Sequence, residues 1–516
     1  MQGQKHFSEK LFTSFQLSER VPADNFYRRL KEVLDLHWLY KGTKSYYGTE
    51  GQESIDPAVF FKLMLIGYLE NLGSDRRIIS TVSLGLDLLY FIGYDIDEPL
   101  PWHSTLSRTR LLFGEDVFKQ FFRQVLKQCI DKGMVSGRRQ AMDSAAVKAN
   151  ASMDSLVEKE ILDDANDYVQ GLSEEGDDDE HKNNNNSSGG TVTPSKKKSV
   201  EQHHDWKAKA YKGMPGANDE RSKFVSNHTH YSSTDKDARV SVKPGKPRQL
   251  NYLAQISVDT AHHVITQIQS DYADKRDSQC LPSLLENTIS NLKQEGLEVE
   301  EVLADAGYSS GEALQALEDK NITGYIPNFG QYKSAREGFT YDKQKDEYSC
   351  SRGVKLPFKK TYVNSRGYWM KQYRSSRQDC MQCPLRTSCI SEIGKEKKIE
   401  DTVDKHLYDR MHERLQTEKA KRMKKLRQST VEPVLGTLIN YLSMRRVNTR
   451  GIRQAGKCML MAAVAYNLKK LLKWQSRKIE TTARSLAREL PTSILNAIAL
   501  VFCYKTNFRL QMAILH

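Results

Sequence analysis

The change of rhythm between residues 137 and 326 constrains the fold most. Residues 137–152 read as a strand. A low-complexity excursion follows: Glu174–Glu180 is acidic, Lys182–Gly190 reads KNNNNSSGG and Lys196–Lys198 is basic. Such a composition has too little apolar surface to fold, so disorder is expected at about 170–200. Order returns near Leu250. Tyr252–Val258 and His263–Ile268 are alternating β-branched runs around Asp259-Thr260-Ala261-His262, a hairpin signature. Leu281–Leu292 has helical spacing, Val299–Ala304 is a short apolar strand, and Ile322–Ile326 is another, closed by Pro327. Between the last two, Ser309 and Glu312 have the S-x-x-E spacing of a capping box. The order strand, insertion, hairpin, helix, strand, helix, strand predicts a mixed α/β domain interrupted after its first strand.

Helices are expected on both sides. In residues 20–135, Leu63, Leu65, Ile66 and Leu69 lie on an amphipathic stretch that Asp56-Pro57 can open as cap and first helical residue. Residues 331–404 are polar, tyrosine-rich and hold a cysteine cluster. Near Glu432, Thr430 reads as an N-cap and Pro433 as a first-turn residue. A last clear helix is expected from Gln454 to Trp474. The class is thus α+β or mixed, in five parts. Residues 1–136 form a helical N-terminal domain, 137–330 the α/β core, 331–404 the Cys-rich insertion, 405–480 the core continued, and 481–516 a helical tail without an assigned role.

A net charge of +13 and a pI near 9.1 over 516 residues favour a polyanionic partner. No apolar run reaches the length of a bilayer span, so no membrane partner is expected. The N-terminus MQGQKHFSEK lacks an apolar signal region. A cytoplasmic protein follows, with its eight cysteines reduced or bound to metal.

Three carboxylates carry chemistry. Asp143 lies in AMDSAAVKANAS, Asp305 in EVLADAGYSSGE and Glu432 in TVEPVLGTLINYL. Each has an ordinary explanation: a strand exit, a turn before Gly307, a favourable interaction with a helix dipole. Brought together, they suit a hard divalent cation such as Mg²⁺ or Mn²⁺, and phosphoryl transfer. Cys350, Cys380, Cys383 and Cys389 supply four thiols compatible with a structural Zn²⁺, or simply four reduced cysteines in an insertion. Lys419–Arg427 is a basic run before Glu432, and Arg445, Arg446, Arg450 and Lys457 follow it. A solvated helix face explains such runs as well as phosphate contact does. Arg108 and Arg110 are candidates for base readout among the N-terminal helices.

The chain resembles an insertion-sequence transposase of the DDE class with an InsH-like N-terminal domain. The resemblance rests on DPAVFFKLMLIGYLENLGSDRRI, PWHSTLSRTR, AMDSAAVKANAS, LADAGYSS and TVEPVLGTLINYLSMRRVNTRGIRQAGKCMLMAAVAYNLKKLLK. It implies a helical DNA-binding domain followed by an RNase H-like catalytic domain, with Asp143, Asp305 and Glu432 holding two Mg²⁺ ions. It further implies a bacterial, nucleoid-associated enzyme that cuts the terminal repeats of its element and joins them to target DNA, as a homodimer in the synaptic complex. Related transposases carry a similar Cys-rich insert before the Glu. The family often has a basic residue seven positions after that Glu; here Ile439 stands there. Arg427, Arg445 and Arg446 are the available substitutes for gripping the DNA end. Two rival readings stay open: an RNase H-like nuclease without strand transfer, and a catalytically silent DNA-binding regulator.

Overall fold

The structure, a computed structural model, describes residues 14–489 apart from 49, 51–53, 159–226, 228, 242–247, 331, 333, 365–366 and 392–393. The excursion at about 170–200 and the tail beyond 489 lie outside the described residues. The chain divides into two compact units, one of residues up to Phe113 with those from Val464 onward, the other Gly114–Ala463. The division therefore falls at Phe113 and not near residue 136. The hydrophobic face of the helix Glu115–Asp131, with Phe118, Phe121 and Phe122, is buried within the second unit.

The first unit is helical: α1 Leu17–Arg20, α2 Phe26–Val33, α3 Trp38–Thr43, α4 Pro57–Leu69, α5 Asp75–Val82, α6 Leu86–Ile92 and α7 His103–Leu112. The expected start of α4 is present. Asp56 accepts hydrogen bonds from the N–H groups of Ala58 and Val59, and Pro57 opens the helix. Most of α4 is buried, so it is the central helix of the unit.

The second unit begins with α8 Glu115–Asp131 and contains a mixed sheet. Its strands are β1 Arg139–Lys148, β4 Arg239–Ser241, β5 Gln249–Asp259, β6 Ile265–Tyr272, β7 Glu301–Leu303 and β8 Thr323–Tyr325. β5 pairs antiparallel with β1, β4 and β6, while β7 runs parallel to both β1 and β8. β2 Leu156–Glu158 and β3 His230–Ser232 pair as a small separate ribbon on either side of the undescribed excursion. The helices α9 Asp277–Lys293 and α10 Gly311–Asp319 close the crossovers between β6, β7 and β8. The N-cap of α10 is Ser310, one residue later than the sequence pattern suggested. Met142, Leu281, Leu285, Val302, Tyr308, Leu314 and Met411 belong to one buried cluster between sheet and helices.

Residues 339–402 make a second sheet that sequence reading left without elements. β9 Phe339–Asp342, β10 Glu347–Cys350, β11 Lys355–Val363, β12 Trp369–Arg374 and β13 Lys398–Thr402 form an antiparallel meander. Its small core is Tyr348, Leu356, Tyr373 and Ile399. Two short helices, α11 Arg377–Met381 and α12 Arg386–Cys389, lie between β12 and β13. The chain returns to helices with α13 Lys405–Leu415, α14 Glu418–Tyr441 and α15 Ile452–Glu489. No helix among the described residues is long and apolar enough to cross a membrane.

Candidate active site

Register brings the two aspartates together. Ala141 of β1 pairs with Leu303 of β7 in parallel, so Asp143 and Asp305 each stand two residues beyond that pair. Side chains two residues apart on a strand share a face, and neighbouring strands lie roughly 4.8 Å apart. The two carboxylates therefore emerge side by side where β7 ends. Asp305 caps the turn that follows, its Oδ1 accepting the Gly307 N–H at 3.0 Å. Asp143 accepts the Ser144 N–H at 2.8 Å, and its side chain is 16% exposed. The Asp143 carboxyl is pushed up to about 6, by burial first and also by the Asp305 charge, against the downward pull of the Ser144 N–H and Arg427.

α14 supplies the third carboxylate, in a way sequence reading did not foresee. Thr430 is no N-cap: it is buried inside a 24-residue helix and donates its hydroxyl to the Leu426 carbonyl. Thr417 caps that helix, accepting from the Ala420 N–H. Glu432 and Pro433 therefore lie in the second half of α14, and the basic run from Lys419 is its first half. The helix packs on β1, β5, β7 and β8. Arg427 points into the acidic site, with Nη1 2.9 Å from Asp143 Oδ2 and Nη2 3.5 Å from Glu432 Oε1. One guanidinium thus joins two of the three acids and supplies the positive charge they require. Glu432 remains 58% exposed. Among the described residues no three His, Cys, Asp or Glu side chains are gathered as a ready metal cage. The donor set at Asp143 and Asp305 is nonetheless all carboxylate oxygen, the chemistry hard divalent cations select.

A supporting network escaped the sequence reading. The buried Tyr308 hydroxyl donates to Gln255 Oε1, and Gln255 Nε2 donates to Asp277 Oδ1 at 2.9 Å. This chain ties the Asp305 turn to β5 and to the first turn of α9. A Cβ on Gly307 would lie 3.1 Å from both Asp277 Oδ2 and Asp305 Oδ1, so glycine lets these two carboxylates flank the turn closely. The Gly-Tyr pair directly after Asp305 was the available signal; nothing local marks Asp277.

The other candidates separate. Arg110 is not a surface arginine: its side chain is 3% exposed and pairs with Asp75 at 2.6 Å, so it is structural and not a DNA reader. Lys457 is likewise buried, with Nζ 5.5 Å from the Phe118 ring centroid, and is unavailable to phosphate. Burial follows here because an i, i+3/i+4 face that holds apolar residues also takes the long stems of Arg and Lys. Arg108 is exposed and bonds Ser104 Oγ within its own helix. Arg445, Arg446 and Arg450 are exposed after α14, with Arg445 on Asn440 Oδ1 and Arg446 on Asn150 Oδ1. Cys350 lies on β10, while Cys380, Cys383 and Cys389 lie along α11, α12 and the turn between them. Cys380 is buried against Ser375 Oγ, and the four thiols do not meet as a cage.

The mixed sheet thus carries Asp143 within β1 and Asp305 just past the end of β7, with Glu432 on the basic helix α14 that packs on them. Two family models match: Transposase domain (DUF772) over residues 15–111 and Transposase DDE domain over residues 349–472. The first covers the helices α1–α7; the second contains Glu432, and Asp143 and Asp305 lie outside both. Both matched regions are transposase domains, the second of the DDE class. One similar solved structure is the Mos1 transposase paired-end complex with left transposon end, at 10% identity over 60% of this chain and 73% of that one. The TM-score of that match is 0.15. No curated protein matches the chain.

Proposed function

We propose that Asp143, Asp305 and Glu432 are the catalytic acids that cut insertion-element ends and join them to target DNA. The observation that carries this reading is the equal offset of Asp143 and Asp305 past the Ala141–Leu303 pair, with Glu432 joined to Asp143 through Arg427. The all-oxygen donor set fits Mg²⁺ or Mn²⁺, which Asp143 and Asp305 would hold, with Glu432 beside them. When bound, the metal supplies charge neutralisation at the phosphate and a more acidic water. The chain's own part is positioning. The β1–β7 pairing fixes the two aspartates; the Tyr308–Gln255–Asp277 network holds the Asp305 turn; α14 sets Glu432 over them. Arg427 neutralises the acids in the free chain and is placed to turn to a phosphate oxygen when DNA enters. Arg445, Arg446 and Arg450 would follow the DNA backbone without reading its sequence. Synapsis of two element ends calls for at least a homodimer. The reaction would take place in the cytoplasm, on nucleoid DNA.

Purified protein with Mg²⁺ should nick DNA carrying the element's terminal repeats, and chelation should stop it. Glu432→Gln should lose cutting by a factor of about a hundred or more; full activity in that variant would remove Glu432 from the site. Covalent joining of cut ends to a second DNA separates the transposase from a nuclease that only cuts. The zinc expectation has its own measurement: metal content of wild type against Cys383→Ser.

A further inference from the structure

The segment between α14 and α15 is held from two sides. Met444 and Val447 are buried, while Arg445, Arg446 and Arg450 face solvent. The end of β1 grips its first half. The Lys148 N–H donates to the Arg445 carbonyl at 3.1 Å, and the Val447 N–H donates to the Lys148 carbonyl at 3.0 Å. These bonds make one parallel rung on the strand that carries Asp143. Asn150 adds its side chain, donating to the Asn448 carbonyl at 3.2 Å and accepting from Arg446 at 2.9 Å.

Two aspartates outside the acidic site grip the second half. Asp235 and Asp237 lie between β3 and β4. Asp235 is 2% exposed; it accepts the Tyr252 hydroxyl at 2.7 Å and the Gly451 N–H at 3.1 Å. Asp237 accepts the Ile452 N–H at 2.9 Å. Those N–H groups are the last before α15 and the first within it, where the helix dipole favours negative charge. Tyr252 stands on β5 opposite Val147, so the grip reaches back to β1 beside the Lys148 rung. Gly451 has φ +86°, a left-handed conformation that suits glycine. Capping alone needs one side chain, and Ser or Asn serves as well as Asp. Here two acids bind backbone and a tyrosine hydroxyl. Among the described residues no lysine or arginine pairs with either aspartate, and no acid pairs with Arg445, Arg446 or Arg450. The acids fix the backbone and leave the arginines their charge.

We propose that Asp235 and Asp237 are positioning residues for DNA. With the Lys148 rung they hold the Arg445–Arg450 segment in one conformation, so that its guanidinium groups meet the phosphate backbone at a set distance from Asp143. The aspartates themselves touch no phosphate. Their effect is preorganisation: a free loop loses conformational entropy when it binds, and one already fixed does not. The inference rests on the reading of Arg445, Arg446 and Arg450 as backbone contacts, and not on which acids are catalytic.

The experiment uses the full chain without added metal, so that binding is separated from cutting. The probe is a fluorescent blunt duplex, followed by anisotropy across a salt series. Arg445→Ala with Arg446→Ala should lower the slope of log affinity against log salt by about two, one for each phosphate contact. Asp237→Ala should weaken binding by about fivefold or more and lower that slope by about one or more. Added to the arginine pair, Asp237→Ala should cost much less than it does in wild type, because the aspartate acts through those arginines. Asp237→Asn keeps an acceptor for the Ile452 N–H and should bind as wild type does. Asp235→Ala strands the buried Tyr252 hydroxyl and endangers folding; Tyr252→Phe loosens Asp235 without emptying its place and should move the slope in the same direction as Asp237→Ala. A plain helix cap would lower the melting temperature with the slope intact and add its full effect to the arginine pair, and that result would overturn the proposal. So would wild-type affinity and slope in Asp237→Ala while the arginine pair shows its effect, a result that spares the reading of the arginines. If the arginine pair leaves the slope unchanged, that reading fails and the positioning role falls with it.

Discussion

Asp143, proposed as a catalytic acid, also bears on stability. Its folded carboxyl is raised from 3.8 to about 6, mainly by burial. A raised acid binds its proton more tightly in the folded than in the unfolded chain. Its contribution to stability is therefore complete below about pH 4 and is lost as pH rises through about 6. In metal-free protein, Asp143→Asn should match wild type in acid and exceed it by about 3 kcal/mol above pH 7. Thermal melts across that range read the difference, and parallel curves would show that burial does not strain the carboxylate. Arg110 and Lys457 make the complementary point. Both looked like surface cations in a string of residues, and both are buried, because charge says little about which side of a helix a long side chain covers.

Among the elements, α14 differs most from its expected form. Thr430 and Pro433 have the composition of a helix start, yet the helix begins at Glu418 and passes through both. Helix starts are recognised by local chemistry, and packing on four strands overrides that preference. Pro433 consequently sits where its ring cannot donate to the preceding turn. Pro433→Ala should raise stability by about 1–2 kcal/mol once the greater freedom of the unfolded chain is subtracted. Denaturant unfolding measures it, and no gain would mean the helix has already relaxed around the ring. The opposite case is α4, where Asp56 and Pro57 cap as expected because the signal is entirely local. The meander of β9–β13 had no such signal. Its strands hold few apolar residues, and its core needs only four of them.

For the molecule as a whole, charge and division into units matter more than any one contact. A chain of net charge +13 should bind duplex DNA through counterion release, with affinity falling about a thousandfold between roughly 50 and 200 mM salt. Salt-insensitive binding would contradict an electrostatic footprint. The three acids, their contexts, the interrupted α/β order and the helical flank were all legible along the chain. Each of these rests on local chemistry: periodicity, caps, turns and composition act between near neighbours. That Asp143 stands level with Asp305 depends on strand register across more than a hundred and fifty residues of chain. That Arg427 joins Asp143 to Glu432, that Tyr308 braces the second aspartate through Gln255 and Asp277, and that two candidate DNA contacts are buried depend on packing in the same way. Such pairings are set by which buried faces fit together, and no short window of residues contains that information.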